Sequence, residues 1–213
     1  KSDSMSRGSG AKSDGGSATG RPGLQSEVVL THSLSQEIAT ATGVRCGSAG
    51  STAQNSFMRT YTLEDFEITD EFSATAVEFG VESVIGNINA EVNLYTLEGD
   101  FVLENLTLLG SGDVSLSSSD DLAMVSVPLE ADVPAGSTMV VEIFIPESAD
   151  SDFFPGANSE GQTAPGYIVG PECGINQPTT YDDIDFPDVH LVLNVVGEAG
   201  EGLFTFEPES GTL

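Results

Sequence analysis

Residues 122–146 read LAMVSVPLEADVPAGSTMVVEIFIP, and their pattern decides the fold class. Val133-Pro134-Ala135-Gly136 places proline early and glycine late in a tight turn. Beyond it Thr138 to Ile145 (TMVVEIFI) is almost continuously apolar, as expected of a strand covered on both faces. With the run from Leu122 to Val133 before it, the stretch predicts strand, turn, strand. The same punctuation continues in both directions. Candidate strands upstream are Glu27 to His32, Ser56 to Leu63, Ser73 to Val84, Ala90 to Leu97, Leu106 to Leu109 and Val114 to Leu116. Downstream of Thr138 to Pro146 come Tyr167 to Val169, Val189 to Val196 and Leu203 to Phe206. Period-two alternation is clearest at Val77, Phe79, Val81 and at Val92, Leu94, and Glu98-Gly99-Asp100 is hairpin-like. No helical periodicity outlasts about two turns. About ten short strands at this spacing predict an all-β antiparallel β-sandwich with jelly-roll topology. The longest poorly structured connection, Glu147 to Pro165, is where a loop-borne site is expected.

Charge narrows the partners. The 213 residues carry 34 Asp and Glu against 6 Lys and Arg, a formal net charge of -28. Four of the basic residues (Lys1, Arg7, Lys12, Arg21) precede Leu24, so from there on 2 arginines, Arg45 and Arg59, face 32 acids, a net of -30. Nucleic acid binding needs clustered cations that release counterions from phosphate, and it is excluded as a partner. Such a chain repels itself at low ionic strength, so stability and association are expected to rise with salt. No apolar run approaches the roughly 18 residues of a membrane span and no basic-then-apolar leader opens the chain, so a mature soluble form without membrane insertion is expected.

Three segments are expected. Residues 1–26 form a Gly/Ser-rich tail or linker with no apolar periodicity, residues 27–197 form the sandwich, and residues 198–213 form a C-terminal linker or an exchangeable strand. Leu203-Phe204-Thr205-Phe206 behind a glycine hinge suits edge addition to a neighbouring subunit. The 2 cysteines, Cys46 and Cys173, lack the short spacing of a metal knuckle or a redox motif. One disulfide in an oxidising compartment is the simplest reading, and two free buried thiols are the alternative. With no lysine after Lys12, a Lys–Asn isopeptide cross-link is excluded from the sandwich.

Phe57 to Leu63 (FMRTYTL), Phe79 to Glu82 (FGVE), Val92 to Leu97 (VNLYTL) and Val133 to Glu142 (VPAGSTMVVE), with Tyr167-Ile168, Cys173-Gly174-Ile175, Pro178-Thr179 and Phe186 to His190 (FPDVH), carry a resemblance. Over Glu27 to Gly197 the chain resembles β-sandwich modules of large exported or cell-surface bacterial proteins, often found beside protease or adhesive modules. The resemblance rests on strand patterning and the cysteine pair rather than on catalytic signatures. It implies an accessory, non-catalytic role outside the cytoplasm and carries over no catalytic residues.

The chemistry-bearing residues agree with that reading. There is no Gly-x-Ser-x-Gly elbow, and the 2 histidines, His32 and His190, fall in candidate strands near opposite ends of the domain. Acidic residues are too abundant for any one pair to mark glycoside hydrolysis. Asp182, Asp183, Asp185 and Asp188 cluster after Tyr181, and Asp150 and Asp152 sit in the long connection. Such oxygen donors on bendable loops suit Ca²⁺, the only cofactor with any support, while a solvated acidic surface is the competing reading. Tyr167 and Tyr181, the latter beside Asp182 and Asp183, are the candidate aromatic platforms for a glycan. The expected function is adhesion to, or binding of, an extracellular glycan or surface protein. The alternative is a self-assembling subunit of a filament, sheath or shell, a homo-oligomer joined through its tails.

Overall fold

The alternating runs become strands in a computed structural model that describes residues 26–200. Of the tail expected over residues 1–26, all but Ser26, which opens the first strand, lies outside the described residues, as does the strand expected at Leu203 to Phe206. Fifteen strands form, four of them only two residues long. In chain order they are β1 (Ser26–Thr31), β2 (Gly47–Ser48), β3 (Ser51–Thr52), β4 (Asn55–Thr62), β5 (Phe72–Ile85), β6 (Asn87–Leu97), β7 (Leu106–Ser117) and β8 (Ala123–Val133). Then follow β9 (Thr138–Ile145), β10 (Asp152–Pro155), β11 (Ala157–Asn158), β12 (Tyr167–Gly170), β13 (Ile175–Thr180), β14 (His190–Leu191) and β15 (Leu193–Ala199).

Pairing shows how the chain is rolled. Apart from the β2–β3 hairpin and the β10–β14 insertion, the first strand pairs with the last (β1 with β15) and the second with the seventh (β4 with β9). The third pairs with the sixth (β5 with β8) and the fourth with the fifth (β6 with β7), all antiparallel. One long hairpin wound up on itself gives this order, which is the jelly roll expected from the strand spacing. One sheet is built on β1, β15, β5 and β8, with β10 beside β5. The other runs β13-β12-β4-β9-β6-β7. At one corner the sheets meet where β7 passes β8: a Cβ at Gly110 or Gly112 would sit 2.8 Å from the carbonyl oxygens of Glu130 and Pro128. Only glycine permits that approach. Bridging these glycines, β7 is one strand where two short runs were expected.

Phe57, Tyr61, Phe72, Phe79, Leu94, Met139, Val141 and Phe153 fill the space between the sheets, each fully buried. Burying such a side chain is worth about 1.5–3 kcal/mol. Central strand β9 is covered on both faces, as its unbroken apolar run predicts. Its outward Val140 packs with Met58 and Val169 in a second cluster under Tyr95, Leu97, Phe101 and Tyr167. Phe101, on the β6–β7 connection, meets Tyr167 edge-on at 4.8 Å, and Gln177 of β13 clasps that connection by accepting from the Leu103 amide at 2.9 Å. Outward Glu142 is buried in the same face, accepting from the Tyr95 hydroxyl at 2.6 Å and from Asn93 Nδ2 at 3.2 Å.

The connection Glu147 to Pro165, expected to be poorly structured, contains two strands. Asp152–Pro155 pairs with β5 and Ala157–Asn158 with β14, and Phe153 enters the core. Pro155 and the absence of alternation hid a strand that is buried on both faces. Cys46 and Cys173 are joined, their Cα atoms 5.9 Å apart across 127 sequence positions. Asn55 holds the buried end, accepting from the Cys46 amide at 2.7 Å and donating to its carbonyl at 2.9 Å.

Candidate functional site

The insertion between β9 and β15 builds the site. Asn158 Oδ1 accepts from the amides of Glu160 and Gly161, both at 2.9 Å, turning the chain out of β11. The turned segment is tied to the stretch after β1: the Thr163 amide donates to the His32 carbonyl at 2.8 Å and the Leu34 amide to Gly161 at 3.1 Å. Residues Gln162 to Gly166 then form one wall of a cavity of about 370 Å³, with Thr180, Tyr181, Asp182 and Val189 opposite. That volume lies within the range of small-ligand sites. Two larger clefts, of about 480 and 510 Å³, lie beside the disulfide and at the rim near Ser73 and Glu130, and neither has an aromatic lining.

Behind this cavity lies Arg59 of β4, with no solvent exposure. Its Nη2 donates to Gln162 Oε1 at 2.7 Å and to the Leu191 carbonyl at 2.9 Å. Nε and Nη1 have no acceptor among the described residues. Burial lowers the guanidinium's pKa from its ordinary value. It also raises the Tyr181 and Tyr61 phenols far above theirs, with the Arg59 charge opposing in both cases, so neither becomes a tyrosinate that could neutralise the arginine. Tyr61 instead donates to the Leu193 carbonyl. Next to it His32 stacks on Tyr61 at 5.1 Å and meets Phe66 edge-on at 5.2 Å, with Nδ1 2.8 Å from Thr163 Oγ1. Burial, then the Arg59 charge, hold its imidazole below the usual value.

The expected site residues scatter over this framework. Tyr181 does line the cavity, but it is a core residue whose hydroxyl lies 3.4 Å from the Val44 carbonyl, not an exposed platform. Tyr167 stands on the outer face of the six-stranded sheet with Phe101, away from Tyr181. Asp182 is at the cavity rim, Asp183 accepts from Thr180 Oγ1 at 2.6 Å, and Asp185 and Asp188 line a neighbouring cleft with Phe186. Asp150 is exposed, whereas Asp152 is buried and ion-paired with Arg45. Among the described residues, no three His, Cys, Asp or Glu side chains gather into a group that could hold a metal ion. The His190 ring lies 3.3 Å from the Asn158 carbonyl and does not join His32. Arg59, Gln162, Thr163 and His32 are the residues that sequence reasoning missed as a site. The signal available was Arg59 itself, a charge inside an otherwise uncharged strand.

No family profile and no curated protein matches the chain. Among solved structures it is similar to the cysteine protease and lectin-like domains of Cwp84, a surface layer associated protein of Clostridium difficile, at 13% identity and a TM-score of 0.49. That match covers 70% of this chain and 33% of the other, so the chain spans about a third of the protein it matches.

Proposed function

We propose that the chain is a non-catalytic binding module of an exported surface protein, and that it takes an extracellular glycan in the cavity between Gln162–Gly166 and Thr180–Asp182. The observation that carries the reading is the cavity's make-up: the polar residues Thr163, Thr180 and Asp182 and the apolar residues Ala164, Pro165 and Val189 line one hollow in the largest insertion of a rigid sandwich. Sugars present alternating apolar faces and hydroxyls, which this mixture of apolar and polar residues complements. The disulfide supports an oxidising compartment. Among the described residues, no helix is long and apolar enough to cross a membrane.

The test is a glycan array followed by calorimetry of each hit against Thr163→Ala and Asp182→Asn. Binding weakened about fivefold or more by each substitution, with an unchanged melting temperature, is expected. No glycan bound, or binding indifferent to both substitutions, removes the reading. Turnover of a bound glycan removes its non-catalytic part.

A further inference from the structure

A buried charge normally has a counter-charge, because an uncompensated one costs several kcal/mol. Among the described residues Arg59 lacks one, in a chain where acids are anything but scarce: from Leu24 on, 32 carboxylates accompany 2 arginines. The other arginine follows the rule, with Asp152 against Arg45 in the sole ion pair among the described residues. Around Arg59 stand instead a glutamine amide, a backbone carbonyl and neutral tyrosines. Two of its three nitrogens have no acceptor among the described residues. The third is held by the Leu191 carbonyl and by Gln162, a residue that also lines the cavity.

We propose that Arg59 is the anion receptor of this cavity, binding the carboxylate of an acidic sugar such as a uronate. The inference rests on the glycan reading above and narrows it to a substrate class. The geometry of a guanidinium supplies the mechanism. Nη2 forms a planar fork with each of the other two nitrogens, and Gln162 offers a single oxygen to it. A ligand carboxylate that displaces Gln162 Oε1 gives one oxygen to Nη2 and the second to Nε or Nη1, turning one hydrogen bond to a neutral acceptor into a bidentate ion pair. The Leu191 carbonyl keeps the other Nη2 hydrogen and holds the guanidinium in place. Gln162 is then a gate whose amide stands in for the ligand's carboxylate. A monoanion suits the site better than a phosphate dianion, because a surface of net charge -28 repels each added negative charge.

Calorimetric titration of the full chain with sodium glucuronate and with glucose, at matched ionic strength, tests the assignment. Glucuronate is expected to bind about tenfold or more tightly than glucose. Arg59→Met is expected to abolish that preference, and Gln162→Ala, which removes the competing acceptor, to strengthen glucuronate binding several-fold. Equal binding of the two sugars overturns the proposal, as does a preference that survives Arg59→Met. If Arg59→Met fails to fold, Gln162→Ala decides: unchanged or weaker glucuronate binding overturns it. The two readings fail separately. Neutral glycans bound at the cavity without any advantage for glucuronate remove the anion receptor and leave the glycan module. Arg59-dependent glucuronate binding by a protein that binds no arrayed glycan keeps the receptor and removes the glycan assignment.

Discussion

Two arginines, both buried between elements far apart in sequence, are treated in opposite ways. Arg45 meets Asp152, lies 4.6 Å over the ring of Phe154 and donates to the Ser48 carbonyl at 2.9 Å. Among the described residues Arg59 meets no carboxylate and keeps two nitrogens without acceptors. Arg45 sits next to Cys46, so its region is closed by a covalent bond, an ion pair and a strand of the insertion at once. Arg59 sits behind a cavity whose wall is a loop. One arginine fastens the insertion to the sandwich, and the other is left to act on whatever enters. Charge neutralisation therefore separates a joint from a site.

Breaking the joint has the largest expected effect. Replacing both Cys46 and Cys173 by alanine frees a loop of more than a hundred residues, which the chain-entropy model values at about 4–5 kcal/mol. Calorimetry is expected to show a melting temperature lower by roughly 10–15 °C. Next comes Asp152→Ala, which strands the Arg45 charge; a loss of about 3–5 kcal/mol in denaturant titration is expected. Pairing Arg45→Met with Asp152→Leu is expected to recover most of that loss. Arg59→Met runs the other way, because it removes a buried charge that already lacks a partner. Stability unchanged, or raised by about 1–4 kcal/mol, is the expected outcome. A loss of the size seen for Asp152→Ala would erase the contrast between the two arginines.

Smaller effects sharpen it. Melting in about 0.5 M NaCl is expected to be several degrees higher than in about 10 mM buffer, because salt screens the surface acids and leaves the buried Arg45–Asp152 pair nearly untouched. His32 gives the smallest signal. Its imidazole stays neutral in the fold, since burial and then Arg59 lower its affinity for a proton, whereas the unfolded chain protonates it at an ordinary pKa of about 6.5. Its contribution to stability is intact above that pH and is lost as the pH falls towards the lowered folded value. His32→Phe is therefore expected to show a shallower fall in melting temperature between about pH 7.5 and about pH 5.5 than the parent protein. An Arg59→Met chain is expected to shift in the same direction, since it removes the cation that helps keep His32 neutral.

Legibility in the sequence followed the range of the interaction involved. The alternation of Val77, Phe79 and Val81, and the run from Thr138 to Ile145, are local signals, and both became central strands. Asp152–Pro155 has no such signal because its neighbours on both faces come from elsewhere, so a buried strand read as a loop. Tyr181 was legible as an aromatic next to acids but not as a core residue. Its adjoining aspartates face solvent, while its ring turns inward to the Val44 carbonyl. Gln162 and Thr163 carry no pattern at all and matter only because the antiparallel bridge from Ser33 to Gln162 lays their loop over Arg59 and His32.

By itself the sequence determined the sandwich, the jelly-roll class of strand spacing, the acidic surface and the one pair of cysteines that could be joined. Each follows from periodicity, net charge or a count, quantities that need no partner. Tertiary structure alone decided which arginine is neutralised and which is not. Arg45 finds Asp152 across 107 positions and Arg59 finds Gln162 across 103, and the register of strands wound into one roll, rather than any neighbouring residue, sets which of them meets a carboxylate.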